Sequence, residues 1–192
     1  MAGKFLFSFL MVFSSLVNAQ WYRQEVPPGI DYLTAVHFID ATTGWVTGNN
    51  GAILKTTNGG RSWERLTGTS DTTYSSIFFT DTRNGFVTGY PRNGYGVVRR
   101  TSDSGATWRN VRQGIMFPLN EVVFTTRDTG WVIGGPVSRL SMGAIDKTTD
   151  GGITWQEQQF PRDAVFSSID IISSQIGWVA GSDGTILSTT DG

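Results

Sequence analysis

The 192-residue sequence contains no cysteine and a single histidine. Without cysteine, the chain has no disulfide framework and no residue for a lipoprotein anchor. The one histidine, His37, has no partner for metal binding or catalysis, so we interpret it as a packed strand residue. A zinc-binding pattern, a phosphate-binding glycine loop and a Ser-His-Asp set are also missing. We therefore expect neither a metal nor a cofactor.

The sequence also lacks a strong charge imbalance and any long segment with helical periodicity. Its formal net charge is −1, which argues against nucleic acid or an anionic membrane as the main partner. The chain has 24 glycines and 7 tryptophans, together with many threonines and serines. This composition is typical of an all-β protein.

The one long hydrophobic run, FLFSFLMVFSSLV, lies directly after the N-terminal MAGK, and its last residue begins the segment Val17-Asn18-Ala19. A positive start, a short apolar run and small residues before a cleavage site predict a secretory signal peptide at residues 1–19. The alternative is an uncleaved membrane anchor, for which the run is short. The mature chain is expected to be exported without membrane insertion, to the periplasm, the cell surface or the extracellular space.

Two sequence motifs return with a period of about 40–50 residues. The first is GWVTG at 44–48, with related copies at 85–89, 130–134 and 177–181. The second, called the box here, is TTNGGRSW at 56–63, TSDSGATW at 101–108, TTDGGITW at 148–155 and its opening half TTDG at 189–192. Each period holds four short β-type runs separated by turn residues, which predicts four-stranded blades of a β-propeller.

The predicted repeats span about 32–67, 74–112, 118–159 and 166–192 within a propeller segment at 20–192. Residues 21–26, WYRQEV, resemble SWERL at 62–66 and are predicted to form a lone outer strand. The half box at 189–192 indicates the N-terminal part of a larger propeller. We expect an open arc of about four blades from a ring of seven.

The box is interpreted as a turn between the third and fourth strands rather than as a site. The third residue of the box is expected to accept hydrogen bonds from the backbone of the turn. The fifth is expected to adopt a backbone conformation that favours glycine, and the aromatic residue is expected to cover the apolar space between sheets. These positions hold Asn58, Gly60 and Trp63; Asp103, Gly105 and Trp108; Asp150, Gly152 and Trp155; and Asp191. A calcium site is the alternative, but one carboxylate per box falls short of the ligands that Ca²⁺ requires.

The boxes fit the pattern S/T-x-D-x-G-x-T-W of the BNR or Asp-box repeat. Combined with the preceding GWVxG motif, they resemble the photosystem II stability and assembly factor family of propellers. This resemblance covers residues 21–192. It implies a scaffold that binds a partner protein through an arginine-rich face, located in the thylakoid lumen if the organism is photosynthetic.

Loop lengths predict where such a partner binds. The loops between second and third strands vary in length among the repeats, whereas the box turns do not, and variable loops on a rigid scaffold commonly carry binding. Together with the connections between blades, they form one predicted face. Exposed arginine and tyrosine are favoured where proteins recognise each other. The candidate residues on this face are Tyr74, Tyr90, Arg92, Tyr95, Arg112, Met116, Phe117, Arg139, Arg162 and Asp163. Arg99 and Arg100, with Arg109 and Arg112, suggest a basic patch in the second blade; the alternative is ordinary solvated arginines.

The competing interpretation is the N-terminal part of an Asp-box glycoside hydrolase, of sialidase or glucanase type. Such an enzyme needs two facing carboxylates, and the inner strands offer only Glu121 and Asp170. The Arg-Ile-Pro signature of sialidases is absent before the first box. Asp40 and Asp81 occupy equivalent strand ends and are interpreted as turn caps. We therefore predict a non-enzymatic, protein-binding propeller segment.

Overall fold

The computed structural model describes residues 20–66, 71–135, 143–160 and 164–192. These residues form fifteen β-strands and one turn of 3₁₀-helix at Ser182–Gly184. No helix in the described ranges is long and apolar enough to span a bilayer. The predicted signal peptide, residues 1–19, lies outside them.

The strands form four separate antiparallel sheets, called blades 1 to 4, and each sheet follows chain order. Blade 1 contains β1 (Leu33–Phe38), β2 (Gly44–Gly48), β3 (Ile53–Thr56) and β4 (Glu64–Arg65). Blade 2 contains β5 (Thr72–Phe79), β6 (Gly85–Pro91), β7 (Gly96–Thr101) and β8 (Arg109–Ile115). Blade 3 contains β9 (Leu119–Phe124), β10 (Gly130–Gly134), β11 (Ala144–Thr148) and β12 (Gln156–Glu157). Blade 4 contains β13 (Phe166–Ile171), β14 (Gly177–Gly181) and β15 (Ile186–Thr189). The predicted all-β blades are confirmed.

The first strand of each blade adjoins the first strand of the next, so these strands lie innermost. They are joined through side chains rather than through a continuous backbone ladder. The Thr34 hydroxyl donates to the carbonyl of Tyr74 at 2.6 Å, and the Asn120 amide donates to the carbonyl of Phe166 at 2.6 Å. These side-chain bonds hold neighbouring blades together near the centre of the arc.

His37 lies in this inner layer. Its Nε2 is 3.2 Å from the carbonyl of Phe79, and its ring packs at 4.6 Å from the ring of Phe78. Burial lowers the pKa of His37, because the charged imidazolium loses water. These contacts agree with the interpretation of His37 as a packed strand residue.

The core between blades is built from aromatic pairs. The aromatic of the GWV motif in one blade faces the last aromatic of the inner strand in the next. Trp45 stacks on Phe79 with ring centroids 3.6 Å apart, and Phe86 stacks on Phe124 at 4.2 Å. Such a pair adds about 0.5–1.5 kcal/mol to the gain from burying the rings. Trp131 takes the same position toward blade 4, within a cluster that includes Phe166 and Ile169.

The box forms the predicted turn between the third and fourth strands. In blade 3, the Thr148 hydroxyl donates to Asp150 Oδ1 at 2.9 Å and accepts the Gly152 N–H at 2.9 Å. The Asp150 carboxylate accepts the Thr154 N–H at 2.9 Å and the Thr154 hydroxyl at 2.6 Å. Gly151 and Gly152 have φ angles of +68° and +74°, a region that glycine adopts without strain.

The boxes of blades 1 and 2 repeat this network. Hydrogen bonds from Thr107 hold the pKa of Asp103 down to about 2, and those from Thr154 do the same for Asp150. In blade 1 the neutral Asn58 takes the same place, accepting the Ser62 N–H at 3.0 Å and donating to the Ser62 hydroxyl at 2.8 Å. Because an amide serves as well as a carboxylate, the box is a folding device and needs no substrate.

The turns between first and second strands are capped as the sequence predicts. Asp40 Oδ1 accepts the N–H groups of Thr42 at 2.7 Å and Thr43 at 2.8 Å. Asp81 Oδ1 accepts those of Arg83 and Asn84, both at 2.8 Å. Both residues are therefore turn caps.

Residues 21–26 form no strand, contrary to the prediction. The first strand begins at Leu33, and Trp21 is fully exposed. A β-strand needs a neighbour to satisfy its backbone groups, and within the described ranges none pairs with this segment. Sequence similarity to an outer strand was not sufficient to make one here.

We expect Thr148→Val to destabilise the fold by about 1–3 kcal/mol, because a buried hydroxyl with partners on both sides is removed. Thr149→Val is the matched control, since Thr149 is the exposed neighbour in the same box. Urea titration followed by tryptophan fluorescence measures the difference. Equal midpoints for the two variants would contradict the assigned role of the box hydroxyl.

Candidate functional site

The box turns and the loops between first and second strands share one face, called the box face. The N–H of Gly59 donates to the carbonyl of Thr42 at 2.8 Å. In blade 3, the N–H of Gly151 donates to the carbonyl of Asp128 at 2.9 Å. Each of these boxes is thus hydrogen-bonded to the turn between the first and second strands of its own blade. These bonds limit the conformational freedom of the box.

The loops between second and third strands lie on the opposite face together with the connections between blades. The N–H of Gly51 donates to the carbonyl of Thr72 at 2.7 Å, and the N–H of Arg92 donates to that of Asp71 at 3.0 Å. The same pairing joins Ser182 to Val165 at 3.0 Å. This face is called the loop rim. Both sets of loops lie on it together, as the sequence predicts.

The candidate residues of the loop rim differ in exposure. Arg92, Tyr95 and Met116 are exposed, with Met116 at 81%. Tyr90, Arg112 and Phe117 are half-buried, and Tyr74 is buried. The remaining candidates lie outside the described residues: Arg139, Arg162 and Asp163.

Tyr74 is wrongly placed in the candidate surface, because its side chain has no exposed area. Its hydroxyl accepts a hydrogen bond of 2.8 Å from the guanidinium of Arg99, which is itself buried. The same guanidinium donates to Asn110 Oδ1 at 2.9 Å. Strand β5 begins at Thr72, so Tyr74 lies within the strand, on its buried side. Sequence reading had placed it in a loop.

Arg112 is engaged in the fold rather than free for a partner. Its Nε donates to Asp146 Oδ2 at 2.9 Å, joining β8 of blade 2 to β11 of blade 3. The Asp146 side chain is only 2% exposed. Burial raises the pKa of Asp146, and the charge and hydrogen bond of Arg112 act in the opposite direction. The pair therefore connects two blades, and sequence analysis did not single out Asp146.

A groove of about 350 Å³ opens beside Tyr95 on blade 2. Its polar lining comes from Arg99, Asn110 and Gln113, on β7 and β8. The apolar and backbone lining comes from Pro91, Gly96, Val97 and Gly114, and Asn93 also lines the groove. Sequence reasoning found Tyr95 but missed Asn110 and Gln113. The useful signal would have been strand pairing, which places Asn110 opposite Arg99.

The basic patch predicted in blade 2 is divided by the fold. Arg99 is interior and Arg112 is paired, while Arg100 lies close to Arg109 and to Arg127 of blade 3. Burial, and then these two like charges, lower the pKa of Arg100, and its buried Nε has no hydrogen-bond partner in the structure. The remaining arginine cluster therefore belongs to the boundary between blades 2 and 3 rather than to the groove.

The two carboxylates considered for hydrolysis have different surroundings. Glu121 Oε2 accepts the N–H of Ile169 at 2.9 Å and so joins blade 3 to blade 4. Asp170 is exposed and pairs in register with Trp178. In the part of the chain that the structure describes, no group of three histidine, aspartate or glutamate residues could hold a metal ion.

Comparison with protein families finds one matching model, described as photosynthesis system II assembly factor YCF48. It matches residues 13–120 and again residues 108–192. No curated protein matches the chain.

Among solved structures, YCF48 bound to D1 peptide is similar with a TM-score of 0.57 and 17% identity, over 91% of this chain and 85% of that one. The GH74 enzyme of Niastella koreensis has a TM-score of 0.63 and 20% identity over 79% of this chain. The GH74 xyloglucanase of Xanthomonas campestris has a TM-score of 0.60 and 19% identity over 84%. The matches cover only 26% and 29% of the two hydrolases. Identities this low show a shared fold.

We expect Arg112→Met to destabilise the protein by about 3 kcal/mol, because it leaves the buried Asp146 carboxylate without its counter-charge. The double variant Arg112→Met/Asp146→Leu should regain most of that loss, since neither charge remains. Thermal unfolding of the three proteins measures both effects. A single variant as stable as the parent would show that Arg112 is a free surface residue after all.

Proposed function

The chain belongs to the photosynthesis system II assembly factor YCF48 family, and on this basis we propose that it is an exported, non-enzymatic scaffold that binds a partner protein. The observation that carries the proposal is the groove beside Tyr95 on the loop rim. Export is inferred from the sequence of residues 1–19, and protein binding from the chemistry of the groove.

The groove combines the groups that a peptide needs. Tyr95 is 47% exposed and supplies an aromatic surface. Asn110 Oδ1 accepts from Arg99, and the Asn110 amide donates to Gln113 Oε1 at 3.2 Å, so these side chains form a hydrogen-bonded polar lining in the groove. The N–H groups of the Gln113 amide are the donors proposed for a peptide backbone. Met116, which follows β8 on the same rim, is almost fully exposed and adds an adaptable apolar contact. An aromatic anchor with polar groups around it is the usual composition of a recognition hot spot.

Strand β8 offers a second means of holding an extended segment. It has seven residues, whereas β4 and β12, the outer strands of blades 1 and 3, have two each. Its inner edge pairs with β7, and among the described strands none pairs with its outer edge. An extended peptide can add a strand to such an edge, with side chains entering an adjacent groove. We infer that the partner segment binds in an extended conformation.

The structure of YCF48 with a D1 peptide supports a peptide as the kind of partner. That complex concerns a protein 17% identical to this one, so the D1 peptide serves as the first probe rather than as an established ligand. In a photosynthetic organism, a D1-type segment would be the expected partner. In other organisms, the same groove would bind another extended segment.

The alternative is a glycoside hydrolase, since two GH74 enzymes share the fold. A hydrolase needs a pair of carboxylates on either side of the scissile bond. Glu121 is committed to the backbone of Ile169, and its oxygen holds two blades together. This arrangement favours a structural role for the one inward-facing glutamate that the sequence suggested.

We expect Tyr95→Ala/Met116→Ala to weaken binding of a fluorescent D1 peptide at least tenfold, which corresponds to about 1.4 kcal/mol for the two anchors. Fluorescence anisotropy gives the dissociation constants. Ile153→Ala is the matched control, because Ile153 is an exposed apolar residue in the box of blade 3. Binding weakened equally by the control would argue against the loop rim as the interface.

The protein is expected to leave xyloglucan and sialosides intact under conditions in which a GH74 enzyme cleaves xyloglucan. Release of reducing sugar measures the first activity, and release of sialic acid measures the second. Hydrolysis by the parent protein that is lost in Glu121→Gln or Asp170→Asn would show that the protein is a glycoside hydrolase and would contradict the proposed scaffold. The matched control is Glu157→Gln, at an exposed glutamate in the outer strand of blade 3.

A further inference from the structure

The polar side chains of the groove beside Tyr95 are hydrogen-bonded in a fixed direction. Arg99 is only 7% exposed, and its Nε donates to Asn110 Oδ1 at 2.9 Å. The Asn110 amide nitrogen then donates to Gln113 Oε1 at 3.2 Å. All three residues line the groove. The chain of hydrogen bonds therefore runs outward, from a buried guanidinium to Gln113.

The direction of this chain follows from Arg99. A guanidinium can only donate hydrogen bonds, whereas a side-chain amide can turn either its oxygen or its nitrogen toward a neighbour. Asn110 must therefore present its oxygen to Arg99 and its nitrogen to Gln113. Gln113 must in turn present its oxygen to Asn110, which directs its own nitrogen away from the chain. Within the described ranges, no protein group accepts a hydrogen bond from that nitrogen.

Arg99 is held in place by further acceptors inside blade 2. Its Nη1 donates to the Tyr74 hydroxyl at 2.8 Å, and its Nη2 donates to Thr72 Oγ1 at 3.3 Å. Both of these acceptors belong to fully buried residues of β5. The guanidinium also lies over the Tyr74 ring, 5.7 Å from its centroid. Arg99 is thus a positioning residue, which is fixed within the blade and orients the amides of Asn110 and Gln113.

A second amide of the groove is oriented in the same way. Asn93 Oδ1 accepts the backbone N–H of Tyr95 at 3.1 Å, and a backbone N–H, like a guanidinium, can only donate. The turn is closed by the N–H of Gly94, which donates to the carbonyl of Pro91 at 2.9 Å. The Asn93 nitrogen is therefore turned away from Tyr95, and the described part of the chain holds no acceptor for it. Two amides thus offer N–H groups beside one groove.

The charge of the groove favours the same kind of ligand. Its lining contains the cation of Arg99 and, among the described residues, no carboxylate. A positive charge at the start of a hydrogen-bond chain polarises the bonds that follow, which makes the terminal N–H groups better donors. A ligand that brought its own N–H or O–H to these amides would leave donors facing each other. Unpaired donors are costly where water is excluded.

We propose that the groove binds a carboxylate of the partner segment through the amide nitrogens of Asn93 and Gln113. A carboxylate accepts hydrogen bonds and donates none, so it fits a surface of donors. It belongs either to an aspartate or glutamate side chain or to the C-terminus of the segment. Each amide nitrogen carries two N–H groups, so Gln113 can also hold a backbone carbonyl. The inference rests on the proposed function, because it names the group that the peptide groove recognises.

Nuclear magnetic resonance of the isotope-labelled full chain tests the site without a peptide. Acetate is the probe, because it is a bare carboxylate, and acetamide is the matched neutral control. With ionic strength held constant by chloride, we expect acetate to shift the side-chain amide signals of Asn93 and Gln113 and acetamide to leave them in place. Gln156, exposed in the outer strand of blade 3, is the internal reference. A Gln113 signal that acetate leaves in place, or that acetamide shifts as much, would overturn the proposal.

Gln113→Glu tests the donor role of this residue. Its carboxylate can still accept from Asn110, so we expect the variant to unfold at the temperature of the parent protein. It offers no N–H and repels a carboxylate, so the fluorescent D1 peptide should bind about tenfold or more weakly. Gln156→Glu is the matched control, with the same change of charge on blade 3. Equal affinity of the parent and Gln113→Glu would contradict the proposal.

Asn110→Asp tests whether Arg99 sets the orientation of Gln113 through Asn110. The new carboxylate still accepts from Arg99 but has no N–H for Gln113. We expect the Gln113 amide to turn its nitrogen toward this carboxylate, so that its N–H protons exchange with water more slowly and acetate no longer shifts them. A residue that only supported the fold would not cause this reversal. Unchanged exchange and an unchanged response to acetate would show that the chain of hydrogen bonds does not orient Gln113.

Two modified D1 peptides distinguish the sources of the carboxylate. One carries a C-terminal amide, and the other has asparagine and glutamine in place of aspartate and glutamate. We expect one of them to bind about tenfold or more weakly than the unmodified free-acid peptide, which identifies the group in the groove. Unchanged affinity of both would overturn the proposal. An unmodified peptide that does not bind the parent protein would count against the proposed function, whereas the acetate titration would still decide whether the groove is a carboxylate site.

Discussion

The stacking of one blade's GWV aromatic on the inner strand of the next blade is the contact on which the rest of the structure depends. A single four-stranded sheet cannot bury its own faces, so each blade is stable only beside another. Trp45 on Phe79 and Phe86 on Phe124 place adjacent sheets close enough for the box tryptophans to fill the space between them. The box then holds the turn that presents each tryptophan. Blade packing and turn chemistry are therefore parts of one repeating unit.

This dependence divides the polar residues into two groups. Those near a blade boundary serve the boundary: Arg112 is paired with Asp146, and Glu121 holds the backbone of Ile169. Those on the loop rim beyond the boundaries keep exposed side chains, as Tyr95 does. We therefore propose that binding uses side chains that do not contribute to blade packing. Such side chains can differ between propellers without altering the core.

Much of the fold could be predicted because short sequence motifs, repeated in each blade, specify it. The boxes identified the turns, including the neutral substitute Asn58, and the GWV motifs identified second strands. The site was less predictable. Tyr74 was expected on the surface but lies inside, because β5 begins two residues before it. The number of blades in the complete ring stays a prediction, as do the roles of Arg139 and Arg162, outside the described residues.

The sequence by itself determined the repeat, the all-β class and the role of the box, because these depend on residues within one blade. Only the tertiary structure decided which arginines are free, which tyrosine is buried and where residues 21–26 lie. Burial and ion pairing at those positions depend on the neighbouring blade, and residues such as Arg112 and Asp146 come from different repeats. The sequence of one repeat does not indicate which residue of the next repeat will lie beside it. These pairings form only when the blades pack together.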